Sequence, residues 1–124
     1  MTVVESALAP YEAFTIEEGR PPAFEVHAHD EASVFPYAQL IGVMWLKSEH
    51  QILVEHRFFS LYLHGKNLER LLDAFGRYTV HRIHVFEAAR HQPVGPGATV
   101  VTHIDDHYEA DRPVTASRRA SLKG

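Results

Sequence analysis

Apolar and polar residues begin to alternate at Ala23, and this period of two predicts a half-buried β-strand. A second extended run starts at Ser33, where Pro36 should interrupt strand pairing because proline has no backbone N–H. The first strand is expected to bury Phe24, Val26 and Ala28 and to present Glu25, His27 and His29 on its other face.

Residues 37–46 are apolar at nearly every position, which predicts a strand covered on both faces. One cover is expected to be a helix, and the other a second layer or another subunit. The hairpin loop after this strand is predicted at residues 47–51. Strict alternation places Ile41, Val43 and Trp45 on one face, and Leu40, Met44 and Leu46 on the other.

A short helix is the most sharply bounded element that the sequence predicts. Residues 52–64 are too long for one ordinary strand, so we expect a break near Arg57. The helix should follow over residues 67–75, with Asn67 as its N-cap and Gly76 as a left-handed stop. Its apolar face consists of Leu68, Leu71, Leu72 and Phe75.

Two further strands are predicted over residues 79–86 and 98–104, and their pairing direction stays open. These elements predict an α+β fold, in which one main helix at about 67–75 packs on a curled, mostly antiparallel sheet of five or six strands. We expect an N-terminal arm at 1–22, a single domain at 23–108 and a polar tail at 109–124.

The composition excludes several classes of protein. The chain has 124 residues, 45% of them hydrophobic, and no cysteine, which excludes disulfides and thiolate metal sites. Its net charge of −4 and scattered basic residues do not form the basic stripe of a nucleic-acid-binding protein. With neither a signal-like start nor an apolar stretch long enough to span a bilayer, we expect a cytoplasmic protein with no membrane partner.

The unusual feature of the composition is its ten histidines. Neutral imidazole is a good ligand for divalent transition metals such as zinc, nickel or copper. His27 and His29 lie two apart on a predicted strand, so they should project from one face. Asp105 and Asp106 also lie near the end of the last strand and are alternative third ligands. The ligands predicted for a transition-metal site are His27, His29, His103 and His107.

The sequence supports three hypotheses about function. The leading one is a non-catalytic binding or assembly module that forms a homo-oligomer through its sheet, with an unknown small-molecule ligand. The alternative is a histidine-based metal-binding protein or a metal-dependent small-molecule enzyme. The third and weakest is nucleic-acid binding through the Arg118-Arg119 tail and an aromatic face that contains Trp45, Phe58, Tyr62 and Tyr78.

Overall fold

The computed structural model describes residues 8–57 and 59–108. Phe58 and the predicted tail at 109–124, with Arg118-Arg119, lie outside the described residues. Two single-turn 3-10 helices, Tyr37–Gln39 and Lys47–Glu49, flank the fourth strand. The main elements are β1 (Phe14–Ile16), β2 (Ala23–Ala28), β3 (Glu31–Pro36), β4 (Leu40–Leu46), β5 (Gln51–His56), β6 (Phe59–Lys66), α1 (Glu69–Gly76), β7 (Val80–His84) and β8 (Val100–Tyr108).

The eight strands of the described residues form two four-stranded sheets. The first sheet has the order β1-β7-β2-β3, and the second sheet has the order β4-β5-β6-β8. Every pairing is antiparallel except that of β2 with β7. The predicted α+β class with one main helix is confirmed, although the strands number eight and divide between two sheets that do not close. The division falls at Pro36, where the 3-10 turn of residues 37–39 carries the chain from β3 into β4.

The helix α1 packs against β4 and β7, one strand from each sheet, and so joins the two sheets into one core. Leu68, Leu71 and Phe75 are buried, as the predicted apolar face requires, and Leu72 is partly buried. The Phe75 ring meets Phe24 of β2 edge-on at a centroid distance of 5.3 Å. No helix in residues 8–57 and 59–108 is long and apolar enough to cross a membrane.

Both predicted helix boundaries are wrong by one or two residues. Leu68 occupies the N-cap position, and Asn67 instead adopts a left-handed conformation with φ of 54°. The Asn67 amide donates hydrogen bonds to the carbonyls of Pro96 and Ala98, at 3.0 and 2.9 Å. Gly76 is the last helical residue, and the left-handed position that follows the helix belongs to Tyr78, with φ of 61°.

A β-bulge in β4 changes which of its side chains face the core. The register between β4 and β5 shifts between Leu40 and Gly42, so Ile41 is an extra residue. Leu40 therefore packs on the core together with Val43 and Trp45. Strict alternation instead predicted Ile41 on the same face as Val43 and Trp45.

Two tyrosines tie the sheets together. The Tyr11 hydroxyl donates to the His84 carbonyl of β7 at 2.7 Å and accepts from the Val101 N–H of β8 at 3.0 Å. Burial raises the pKa of Tyr11 to about 12, so the phenol stays neutral. Tyr37 donates to the Val80 carbonyl at 2.7 Å.

Part of the predicted N-terminal arm belongs to the folded body, since β1 pairs with β7.

Strands β6 and β8 lie in close contact at Gly65, where their register shifts. A Cβ atom at Gly65 would overlap the carbonyl oxygen of Val100. Only glycine allows two backbones to come so close.

We predict that Gly65→Ala destabilises the protein by about 1–3 kcal/mol or more, because backbone has to move to accommodate the methyl group. The matched control is Gly42→Ala, since nothing lies within 4 Å of a Cβ at that position. The control should change stability by less than about 0.5 kcal/mol. Chemical denaturation followed by circular dichroism measures both, and equal stabilities of the two variants would contradict the prediction.

Candidate functional site

The outer face of the second sheet changes in character from one edge to the other. One row of cross-strand neighbours runs Met44, Leu53, Tyr62, Asp105, from β4 across β5 and β6 to β8. Its first three members are apolar or aromatic and its last is a carboxylate. The face therefore has an apolar side at β4 and a side with metal-ligating groups at β8.

The apolar side ends in an exposed edge. Ile41 is 59% exposed and Met44 is 56% exposed, so both large apolar side chains contact solvent on the same strand. Next to them, an open groove of about 320 Å³ runs between β4 and the end of α1. Its walls include Leu72, Phe75 and Tyr78. We call Ile41, Met44 and this groove the apolar edge.

At the opposite side, His64 of β6 and His103 of β8 are direct cross-strand neighbours. Their rings stack face to face, with centroids 4.0 Å apart and planes 7° from parallel. Asp105 follows His103 by two residues and therefore lies on the same face. His64 Nε2 is 3.0 Å from Asp105 Oδ2. We call His64, His103 and Asp105 the ligand cluster.

Each member of the ligand cluster offers one ligand atom, and these atoms all lie within 4.8 Å of one another. The side chain of His64 is 24% exposed and that of Asp105 is 56% exposed, so the cluster is accessible from solvent. A cleft of about 580 Å³ opens over the two histidines. Glu49 and His50, from the loop between β4 and β5, and Lys66 line its other walls.

A hydroxyl lies beside the ring of His103. Thr102 Oγ1 donates to the His64 carbonyl at 3.0 Å. The same oxygen lies 3.3 Å from His103 Nδ1, where it can accept the N–H of the tautomer that is protonated at Nδ1. In that tautomer Nε2 carries the lone pair.

The structure brings one of the four predicted metal residues, His103, into the ligand cluster. His107 lies further along the same face of β8, with its ring edge-on to Tyr62 at 5.6 Å. His27 belongs to β2 of the other sheet, and His29 lies in the turn that follows β2. Among residues 8–57 and 59–108, the ligand cluster is the only group of three such side chains within 4.8 Å.

His27 and His29 do not point to a common partner. His27 Nε2 lies 2.9 Å from Glu25 Oε1, as the predicted alternation of β2 suggests. His29 follows the end of β2 in a left-handed turn, with φ of 57°, and its Nδ1 lies 3.9 Å from Glu87 Oε1. The turn breaks the alternation on which the predicted two-histidine clamp depends.

His64 is absent from the ligands that the sequence predicts. In the structure its side chain lies on the face of β6 opposite Leu61 and Leu63. The missing information was the strand register. Neither spacing nor composition indicates that His64 pairs with His103 across a bulge at Thr102. The predicted aromatic face does not form one surface, since Trp45 packs on the core and Tyr62 lies on the outer face of the sheet.

A second histidine group lies on the outer face of the first sheet. The rings of His27 and His84 stack at 4.9 Å, and Glu25 contacts both His27 and Arg82. Burial, with the nearby positive groups His27, Arg82 and His91, lowers the pKa of His84 below its ordinary value, and Glu12 opposes this shift. The hydrogen bond from His27 is the main cause that lowers the pKa of Glu25.

Comparison with known proteins gives no match to this chain, either among protein-family models, among curated proteins or among solved structures.

We predict that stability falls as the pH drops from 7 to 5.5, partly because of His84. The pKa of His84 is lowered in the folded state. As the pH falls below about 6.5, His84 therefore takes up a proton more readily in the unfolded chain, and this uptake lowers the free energy of unfolding. The variant His84→Gln cannot take up this proton, so its melting temperature should fall less over the same range. Melting curves of both proteins at several pH values test this, and parallel pH dependences would contradict it.

Proposed function

We propose that this protein is a non-catalytic assembly module that forms a homo-oligomer through its apolar edge, and that it acts in the cytoplasm. The observation that carries the proposal is the exposure of Ile41 and Met44 on an outermost strand. A long, uncharged, apolar edge strand offers its backbone N–H and C=O groups to another strand.

The other outermost strands carry features that discourage such pairing. Strand β1 has only three residues. Strand β3 begins with Glu31 and ends with Pro36. Strand β8 carries Asp105 and Asp106. By contrast, β4 has seven residues, LIGVMWL, with neither a charge nor a proline. It therefore lacks the charges and the proline that protect the longer outermost strands β3 and β8, and its bulge at Ile41 is confined to one end of the strand.

A second copy of the chain is the partner that fits this strand best. Two β4 strands can pair antiparallel about a two-fold axis, which buries the same patch on both subunits. Because β4 is uncharged, this pairing brings no like charges together. The groove beside Tyr78 gives space for apolar side chains of the partner.

The energetics favour a reversible dimer. Full burial of an isoleucine or methionine side chain contributes about 1.5–3 kcal/mol. Because Ile41 and Met44 are 59% and 56% exposed, complete burial of both on two subunits contributes at most roughly 3–7 kcal/mol. Ladder hydrogen bonds add about 1 kcal/mol each, and association itself costs at least about 4 kcal/mol. Since the cost offsets much of the gain, we expect a weak dimer that dissociates on dilution.

We predict that the full-length chain sediments as a dimer at high micromolar concentration and dissociates on dilution. Met44→Lys should make it monomeric at all these concentrations, because a buried ammonium group in the interface is unfavourable. Val34→Lys is the matched control, since Val34 is 62% exposed on β3, another outermost strand. This variant should dimerise like the wild type.

Sedimentation velocity of the three proteins distinguishes the outcomes. A wild-type chain that stays monomeric throughout would overturn the proposal and would mean that β4 is covered from within the chain or left open. Equal dissociation by Met44→Lys and Val34→Lys would also overturn it, because the interface would then not be specific to β4.

A further inference from the structure

We infer that the ligand cluster of His64, His103 and Asp105 binds one divalent transition-metal ion in the cleft, with a coordination position left open. This site is independent of the proposed assembly, since it lies on the β8 side of the sheet, away from the apolar edge. Of its three ligands, His103 is one of the four histidines that the sequence alone predicts, Asp105 is one of the alternatives, and His64 is new.

The donor set indicates the class of ion. Two imidazole nitrogens and one carboxylate oxygen suit zinc, nickel, cobalt and ferrous iron, whereas magnesium and calcium prefer oxygen ligands throughout. Three protein ligands with a free fourth position are typical of zinc sites that accept water or a small molecule. The cleft of about 580 Å³ above the histidines gives such a molecule room.

The distances between donor atoms are close to those that coordination requires. In a tetrahedral zinc site, bonds of about 2.0–2.2 Å place neighbouring donor atoms about 3.3 Å apart. The 3.0 Å between His64 Nε2 and Asp105 Oδ2 already matches this value. All donor atoms of the ligand cluster lie within 4.8 Å of one another. The donor–donor distances that are still too long therefore have to shorten only slightly, which rotation of the side chains can achieve.

Binding must change the stack of the two rings. In the stacked state their nitrogen lone pairs lie in nearly parallel planes, since the rings deviate by only 7°. One ion bonded to both rings requires these lone pairs to converge, so the rings tilt towards each other. The ion also takes the place of the proton on His64 Nε2 that Asp105 accepts. In a neutral imidazole this proton moves by way of solvent to Nδ1, so that the ring stays neutral and Nε2 presents its lone pair to the ion.

The surroundings hold the cluster in place. The Thr102 hydroxyl lies 3.3 Å from His103 Nδ1 and can accept its proton when Nε2 binds the ion, which is the role that an outer partner plays at metal sites. The close approach at Gly65 fixes the register that places His64 beside His103. His50 and Glu49 line the same cleft from the opposite loop, where either can approach the open position.

We predict that the untagged full-length chain binds about one Zn²⁺ or Ni²⁺ ion and does not bind Mg²⁺ at the same concentration. The variants His103→Gln and Asp105→Asn should weaken Zn²⁺ binding by at least about 10–100-fold, the loss typical of outer partners alone. His107→Gln on the same face and His27→Gln on the other sheet are matched controls. Both should bind like the wild type. Isothermal titration calorimetry measures all five proteins.

A second readout separates loss of binding from loss of fold. Co²⁺ added to the wild type should give d–d absorption bands that His103→Gln lacks, while the metal-free variant keeps the wild-type circular dichroism spectrum. Less than about a tenth of an ion per wild-type chain would overturn the inference. Unchanged affinity in His103→Gln, or one ion per two chains, would overturn it as well.

Discussion

The close approach of β6 and β8 at Gly65 determines which side chains share the outer face of the second sheet. A residue with a Cβ atom at this position would collide with the Val100 carbonyl. The glycine therefore allows the register of β6 and β8 to shift between Gly65 and His64. With this shift, His64 pairs with His103 and Tyr62 pairs with Asp105. A slip of one residue would send these side chains to opposite faces. The ligand cluster exists only because this contact holds.

The same sheet offers two different surfaces at its two edges. At β8, charged and ligating groups discourage pairing with another strand and at the same time form the ligand cluster. At β4, no charge interrupts the strand, and the bulge at Ile41 leaves that side chain exposed. Strand β4 is anchored on its inner face, since Val43 and Trp45 pack on the core. A rigid strand with an open outer edge needs little ordering on association, which favours binding.

Local patterns predicted the parts of the fold that depend on local physics. The period of two at Phe24 and Val26 and the helical stripe from Leu68 to Phe75 both correspond to buried positions. The features that failed involve contacts distant in sequence. Asn67 hydrogen bonds to Pro96 and Ala98 rather than to its own helix. The pairing of His64 with His103 and the extra residue at Ile41 depend on registers that no single segment specifies.

In the proposed dimer, a second copy of the chain covers the uncharged edge strand β4. Hydrogen–deuterium exchange of the 124-residue chain at several protein concentrations tests this pairing. Peptides that span residues 40–46 should exchange more slowly as the concentration rises through the micromolar range, while peptides that span residues 31–36 keep a constant rate. Exchange in residues 40–46 that does not change with concentration would contradict the claim.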